Sequence, residues 1–367
     1  MAGLLRYDLI PPPGGGFHFG RAGYAQEETG ESFPSDSLWA ALLATIAEEE
    51  GMAAARALVD RLRAGEPPFA LTSVLPRAGD IPFLPRPALP LAHGSERRPP
   101  KFGKRLRYVS PGILHLWLQG EDLAPYLPDE AWRSPKGRFL QGGAVWCTAE
   151  EQARLPKVSQ DRDWTRMPPE RLAHEKLWDG FPRPRVTVDR RSHASAVFRV
   201  GRLSFASGCG LWLGVRFTQD PGPFDQTWWE TWLLRLGHRG LGGDRTAGCG
   251  TFSWEAKGPL PLPEAAGGDR ALLLSRYHPR PDELAAGVLG DGARYQLAFV
   301  SGYLASPKGP ARLRQRVALV EAGSVVCTAG GLPRGDLVDV TPPGWQAHPV
   351  YRGGLALTVP ILGPSRR

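Results

Sequence analysis

The chain has 367 residues, a formal net charge of +8 and a hydrophobic fraction of 42%, which supports a buried core and excludes global disorder. No run approaches the roughly 18 consecutive apolar residues of a membrane span, and the opening MAGLLRYDLIPPP meets proline too early for a secretory signal. A soluble, cytoplasmic protein is expected, and its 45 glycines and 37 prolines predict many turns and insertions between short elements.

In chain order, Leu4 to Ile10 reads as a strand and is followed by the loop PPPGGG and then Phe17-His18-Phe19-Gly20. The first helix starts at Ser35 or Asp36, either of which can cap it, and Leu38, Trp39, Leu42, Leu43 and Ile46 fall on one face. A second helix covers about Ala53 to Arg63. Phe69 to Leu75 is strand-like and is expected to break at Pro76. Residues 76–205, rich in proline and charge, read as a long insertion rather than a separate core. Leu211 to Phe217 is a buried strand, and Thr227 to Leu236 is a helix with Thr227 near its cap. A glycine-rich loop, Gly240 to Gly250, leads into a strand, Thr251 to Trp254.

Without the insertion the order is strand, helix, strand, strand, helix, strand, the split βαβ or ferredoxin-like unit. Such a unit leaves one sheet face open, a common platform for RNA. A Gly/Pro stretch near 258–268 leads to a second, degenerate unit, in which 271–277, 295–304 and 317–326 look strand-like and 352–361 closes the chain.

The glycine-rich loop carries most of the chemistry. Its glycines permit positive φ and close backbone approach, exposed N–H groups can form an anion nest, and the flanking Arg239 and Arg245 can engage phosphates in pairs. No Gly-x-Gly-x-x-Gly opens a helix and no Gly-Lys-Ser/Thr follows, so nucleotide-binding folds are disfavoured. A tight helix-to-strand turn with incidental arginines is the competing reading. The basic residues comprise 38 Arg and 7 Lys, a skew that suits phosphate binding but also follows from a GC-rich genome. Three clusters could track an RNA backbone or form solvated faces: Arg97, Arg98, Lys101, Lys104, Arg105 and Arg107; Arg183, Arg185, Arg190, Arg191, Arg199 and Arg202, tempered by Asp189; and Lys308, Arg312, Arg314 and Arg316.

Trp228, Trp229 and Trp232 read as helix packing before base stacking. Cys147, Cys209, Cys249 and Cys327 lack metal-type spacing and are expected as reduced, mostly buried thiols. The histidines show no i, i+4 pair, the carboxylates no paired cluster, and there is no Gly-x-Ser-x-Gly elbow. No metal, cofactor or catalytic group is expected. His18 is the one candidate general acid or base for RNA cleavage, against the simpler reading of a hydrogen-bonded or exposed loop imidazole.

Several segments together resemble one family. Phe33 to Leu42 resembles a "pSDtLfsAL" helix start, and Phe69 to Ser73 with Phe83 to Pro87 resembles "f-SsafP…yfLPkP". Val186 to Arg190 resembles "v-iDR", and the glycine-rich loop Gly240 to Gly250 matches the "GiGGkRssGxGxF" signature. Glu321 to Val325 and His348 to Gly354 resemble its C-terminal motifs. The family is that of RAMP-superfamily subunits capping the crRNA 5′ handle in type III-A (Csm) CRISPR effector complexes, the fourth Csm subunit.

This resemblance implies an α+β fold of two ferredoxin-like (RRM-like) βαββαβ domains, residues 1–257 and 258–367, with a long thumb-like insertion at about 85–205 of the first. It implies crRNA binding without catalysis, partnership with the large polymerase-cyclase subunit and the first backbone RAMP subunit, and indirect contact with target RNA. Carried onto this sequence, the RNA-facing set is His18, Gly20, Ser35, Arg190, Arg191, Arg239, Gly240, Gly242, Gly243, Asp244, Arg245, Thr246, Gly248 and Gly250. His18 falls where processing relatives can carry a catalytic histidine; in this family the implied role is packing or RNA contact at most. Two functions from other classes stay open: a metal-independent endoribonuclease that processes precursor crRNA through His18, and a protein-interaction scaffold that does not touch RNA.

Overall fold

The computed structural model describes residues 3–20, 27–91, 101–188, 195–262, 268–304, 306, 309–328 and 331–361. The N-terminal part runs β1 (Leu4–Ile10), α1 (Ser35–Glu49), α2 (Met52–Ala64), β2 (Phe69–Leu71) and β3 (Leu75–Ala78), then a long insertion ending in the hairpin β4 (Trp178–Val188) and β5 (Ser195–Phe205). It continues through β6 (Cys209–Phe217), α3 (Gln226–Arg239) and β7 (Ser253–Leu260). The chain is thus mixed α and β, with many short strands and few helices.

The main sheet has β7 at one edge, then β1, then β6, and β2 and β3 in succession along β6. Each of these pairings is antiparallel. The apolar face of α1 buries Leu38, Trp39, Leu42 and Ile46 against the sheet, and Trp39 stacks on Phe69 at 5.1 Å. Trp229 and Trp232 of α3 are buried in the same cluster. Each fully buried side chain of this size contributes roughly 1.5–3 kcal/mol.

Four details differ from the sequence expectations. Pro34, not Ser35 or Asp36, stands at the N-cap of α1, which has no side-chain cap bond; both side chains are spent elsewhere. Asp225, not Thr227, caps α3 by accepting from the Trp228 N–H. Pro76 lies inside β3 rather than ending a strand, and its carbonyl accepts from Phe83 N at 3.0 Å. The strand is interrupted at Thr72-Ser73, where Thr72 Oγ1 accepts from Gly214 N and donates to Ser73 O.

The second sheet face is not an open platform. Asp8 on central β1 accepts from Arg6 Nε at 2.7 Å, and Arg77 Nε lies 3.3 Å from its other oxygen. Arg6 also donates to Asp80 O. Side-chain exposures of 6%, 2% and 12% for Arg6, Asp8 and Arg77 show that this charge cluster is covered. The insertion forms part of the cover: Asp80 N donates to Arg154 O, and Pro156 lies against Gly208. Ions are retained in such a place only when paired and hydrogen-bonded.

The insertion folds as a small lobe before its hairpin. Leu84–Pro85, Tyr108–Val109, Val145–Thr148 and Gly137–Leu140 form a four-stranded sheet under the helix Pro111–Gln119. Trp146 stacks on Phe139, and Trp117 meets Trp146 edge-on. Its core is continuous with the N-terminal core. The β4–β5 hairpin pairs residue by residue from Trp178 with Phe205 to Val188 with Ser195.

In the C-terminal part, Arg270–Leu273 lies between Val325–Cys327 and Thr358–Ile361, Leu297–Val300 pairs with Val317–Val320, and Gly335–Asp339 pairs with Tyr351–Leu355. One short helix, Pro281–Ala285, is present among the described residues. Tyr351–Leu355 packs on α1: a Cβ on Gly353 would sit 2.6 Å from the Trp39 ring. Among the described residues no helix is long and apolar enough to cross a membrane.

Candidate nucleic-acid interface

The glycine-rich loop leaves α3 at Gly240 and folds back against the loop after β1. Gly243 N donates to His18 O at 2.8 Å, Gly250 N to Gly16 O at 2.8 Å, and Leu241 N to Gly250 O at 2.9 Å. Glycine is required at two positions in particular. Gly242 has φ +90, and a Cβ there would lie 2.3 Å from His18 O. Gly250 has φ +85, and a Cβ would lie 2.1 Å from Leu241 O. Between these fixed points the tip Arg245–Gly248 is exposed. The loop is therefore a docked base with a free cationic tip.

His18 belongs to that base. It is 9% exposed, and its Nδ1 lies 2.7 Å from Gly201 O. A carbonyl only accepts, so Nδ1 carries the proton and donates. The ring edge lies over Gly243, where a Cβ would meet His18 Cδ2 at 2.8 Å. His18 thus joins three segments: the β1 loop, the glycine-rich loop and β5.

The hairpin completes the site. Cross-strand partners share a face, so Phe181, Arg183, Arg185, Phe198 and Arg202 line one side of β4–β5. That side faces the glycine-rich loop, because Arg185 Nη2 donates to Asp244 Oδ2 at 2.6 Å. Arg202 Nη2 donates to Gly14 O, and Phe17 exchanges backbone bonds with Leu203. Arginines interleaved with aromatic rings suit a single-stranded nucleic acid, whose phosphates and bases need both. Desolvation first, and the charge of Arg239 second, lower the pKa of Arg245 below the usual arginine value. Burial first, and Asp244 second, push the Cys249 thiol up, so it is a protonated neighbour and not a nucleophile.

The structure brings His18, Gly240, Gly242, Gly243, Asp244, Arg245, Thr246, Gly248 and Gly250 together, with Gly20 exposed beside the His18 ring. Arg239 adjoins the loop, but Glu48 of α1 pairs with it. Ser35 is corrected: it is fully buried, and its hydroxyl accepts from Arg276 N at 2.8 Å. Asp36 beside it, also fully buried, accepts from Arg276 at 3.1 Å and Arg352 at 3.0 Å. These two residues fasten α1 to the C-terminal part. Arg190 and Arg191 lie outside the described residues, as do Asp189, Arg97, Arg98, Lys308 and the Lys101 side chain. Arg107 pairs with Glu31 at 2.6 Å, Arg312 donates to Pro343 O, Arg314 to Gly302 O, and Arg316 sits over the Phe299 ring. The sequence reading missed Gly16, which clamps the loop base, and Gly201, which anchors His18. Gly16 sits in the conspicuous PPPGGG run; Gly201 carried no signal.

Residues 266–361 match the family model of the CRISPR Csm4 C-terminal domain. That match covers about the C-terminal quarter of the chain. Among solved structures, the Csm3-Csm4 subcomplex in the type III-A CRISPR-Cas interference complex includes a chain that matches with a TM-score of 0.64 at 16% identity, over 98% of this chain and 100% of that one. The Csm1-Csm4 cassette in complex with pppApA gives 0.54 at 16% identity over 99% of each chain, and the cassette with AMPPNP gives the same figures. Similarity at this identity is one of fold, and it runs from end to end. No curated protein matches the chain. The C-terminal family match and the full-length likeness of fold agree with the ordered motifs.

Proposed function

We propose that this chain is a non-catalytic crRNA-binding subunit of a type III-A effector complex, acting in the cytoplasm. The carrying observation is the docked glycine-rich loop whose free tip, with Arg245, faces a hairpin lined by Arg183, Arg185 and Arg202. In this reading the 5′ handle lies along that surface, held through phosphates by the arginines and through bases by exposed backbone and aromatic edges. The N-terminal part is a ferredoxin-like domain: its strands lie in the order fourth, first, third, second, with β2 and β3 together taking the second place. The β4–β5 hairpin is its thumb, set to kink the guide where handle meets spacer and so fix register. The C-terminal part is the second, degenerate ferredoxin-like domain.

The chain bridges the large polymerase-cyclase subunit and the first backbone RAMP subunit. The solved assemblies named Csm1-Csm4 and Csm3-Csm4 support that placement, and contact with target RNA is then indirect. The endoribonuclease reading is not favoured. General base work here would fall to Nε2, since Nδ1 donates to Gly201 O, and a ring only 9% exposed with its edge packed on Gly243 gives that nitrogen little access to a substrate hydroxyl.

The test is a titration of the purified chain against guide RNA bearing its 5′ handle, with handle-less RNA as competitor, each sample split between native and denaturing gels. A handle-specific shift with intact RNA is expected. Cut RNA that persists in chelator and vanishes in His18→Ala overturns the assignment in favour of a processing enzyme. No shift, with assembly unaffected after the arginines are neutralised, favours a scaffold that does not touch RNA.

A further inference from the structure

One carboxylate sits among the cations where the hairpin meets the glycine-rich loop. Asp244 occupies a left-handed conformation, φ +55, and its Oδ2 accepts from Arg185 Nη2 at 2.6 Å. The two side chains are 22% and 26% exposed. By charge alone Asp244 opposes an RNA ligand, because it repels phosphate and cancels a neighbouring arginine. By geometry it does the reverse. Its bond to Arg185 crosses from the loop to the middle of the hairpin, beyond the backbone contacts at Gly16, Phe17 and His18. It uses one terminal nitrogen of the guanidinium, and Arg185 Nε has no partner among the described residues. That Nε is buried, so the guanidinium is fixed at one end and meets a ligand only through its partly exposed terminal nitrogens.

We propose that Asp244 is a positioning residue for RNA. It holds Arg185 and the hairpin so that Arg183, Arg185, Arg202 and Arg245 present one phosphate-binding track, and this preorganisation outweighs its own repulsion of the ligand. The proposal rests on the reading that RNA binds at this loop.

The two effects have opposite signs, which makes them separable. Asp244→Asn keeps the side-chain shape, tolerates the left-handed backbone and removes the charge. Affinity for handle-bearing guide RNA is measured by fluorescence anisotropy for this variant in the wild-type and Arg185→Ala backgrounds, with melting curves alongside. Asp244→Asn weakens binding about fivefold in the wild-type background, the size of a partly exposed charged hydrogen bond. In the Arg185→Ala background the same substitution tightens binding, since the repulsion is removed and the weak 3.7 Å bond from the Cys249 thiol is the one side-chain contact to Asp244 left among the described residues. Arg185→Lys supplies a variant that leaves the strained loop untouched: it keeps the charge, loses the fork, and binds more weakly than wild type.

Tighter binding by Asp244→Asn in the wild-type background overturns the positioning role and leaves the RNA reading standing. Equal weakening in both backgrounds also overturns it, because the loss does not then run through Arg185. Wild-type affinity in Arg185→Lys counts against it in the same way. A wild-type protein that does not bind this RNA overturns both readings together.

Discussion

Replacing Gly242 by alanine isolates the docking of the loop base. The Cβ would lie 2.3 Å from His18 O and 3.0 Å from Phe19 Cδ1, at a backbone with φ +90. Positive φ costs an L-residue about 1–2 kcal/mol, and forcing a methyl group into a filled space costs about 1–3 kcal/mol. Displacing the loop also breaks the Gly243 N to His18 O bond, worth about 1 kcal/mol. The expected loss is therefore about 3–6 kcal/mol. Gly248 is the internal control: its φ is +80, but nothing lies within 4 Å of the place a Cβ would take, so Gly248→Ala carries the backbone cost alone, about 1–2 kcal/mol. Urea unfolding followed by circular dichroism measures both variants, and exchange of the Gly243 amide reads the same energy locally. Handle-RNA affinity should fall with loop docking in Gly242→Ala and much less in Gly248→Ala. Equal losses in the two variants, or a larger one at Gly248, refute the account of the loop as a docked base with a free tip.

Arg245→Ala weakens guide-RNA binding and lowers the slope of log K against log salt by about 1, with the melting temperature unchanged; an unaltered titration curve rejects the loop as the RNA site. Asp36→Ala leaves Arg276 and Arg352 without their buried partner and destabilises the chain by about 3–5 kcal/mol in urea titration; a change below about 1 kcal/mol contradicts its role in joining α1 to the C-terminal part. Burial pushes the Cys209 thiol from its ordinary value of 9.0 up to about 12. The unfolded chain therefore releases that proton first, and stability falls as pH rises from 9 toward 12, by about 1.4 kcal/mol at pH 10 from this group. Unfolding midpoints at pH 8 and 10 in reductant, for wild type and Cys209→Ala, check the sign and the source.

The local elements were largely legible. The 3- and 4-residue spacing of Leu38, Trp39, Leu42, Leu43 and Ile46 marks α1 because that stripe is what the sheet buries. The glycines of the loop were legible as a tight, folded-back turn because few other sequences allow several positive-φ residues in one segment. The strand expected over 69–75 spans a real break, since Thr72 and Ser73 leave the ladder for side-chain bonds with Gly214 and within the turn, which no propensity encodes. Ser35 and Asp36 resembled a helix cap because Ser and Asp at a helix start usually are one. The true partners of Asp36, Arg276 and Arg352, stand 240 and 316 positions away in sequence.

By itself, then, the sequence determined the helices α1, α2 and α3, the strands around them and the glycine-rich turn, and it placed a long insertion rich in proline and charge between them, but not the helix Pro111–Gln119 or the sheet inside that insertion. Those it determined are local properties, set by side-chain periodicity and by the backbone freedom of glycine. The tertiary structure alone decided that the second sheet face closes over Arg6, Asp8 and Arg77, that His18 is a buried joint and not an exposed imidazole, and that Arg185 meets Asp244. Each of these depends on which buried charge or polar group finds a partner across the fold, and the cost of leaving such a group unpaired is settled only once distant segments are packed together.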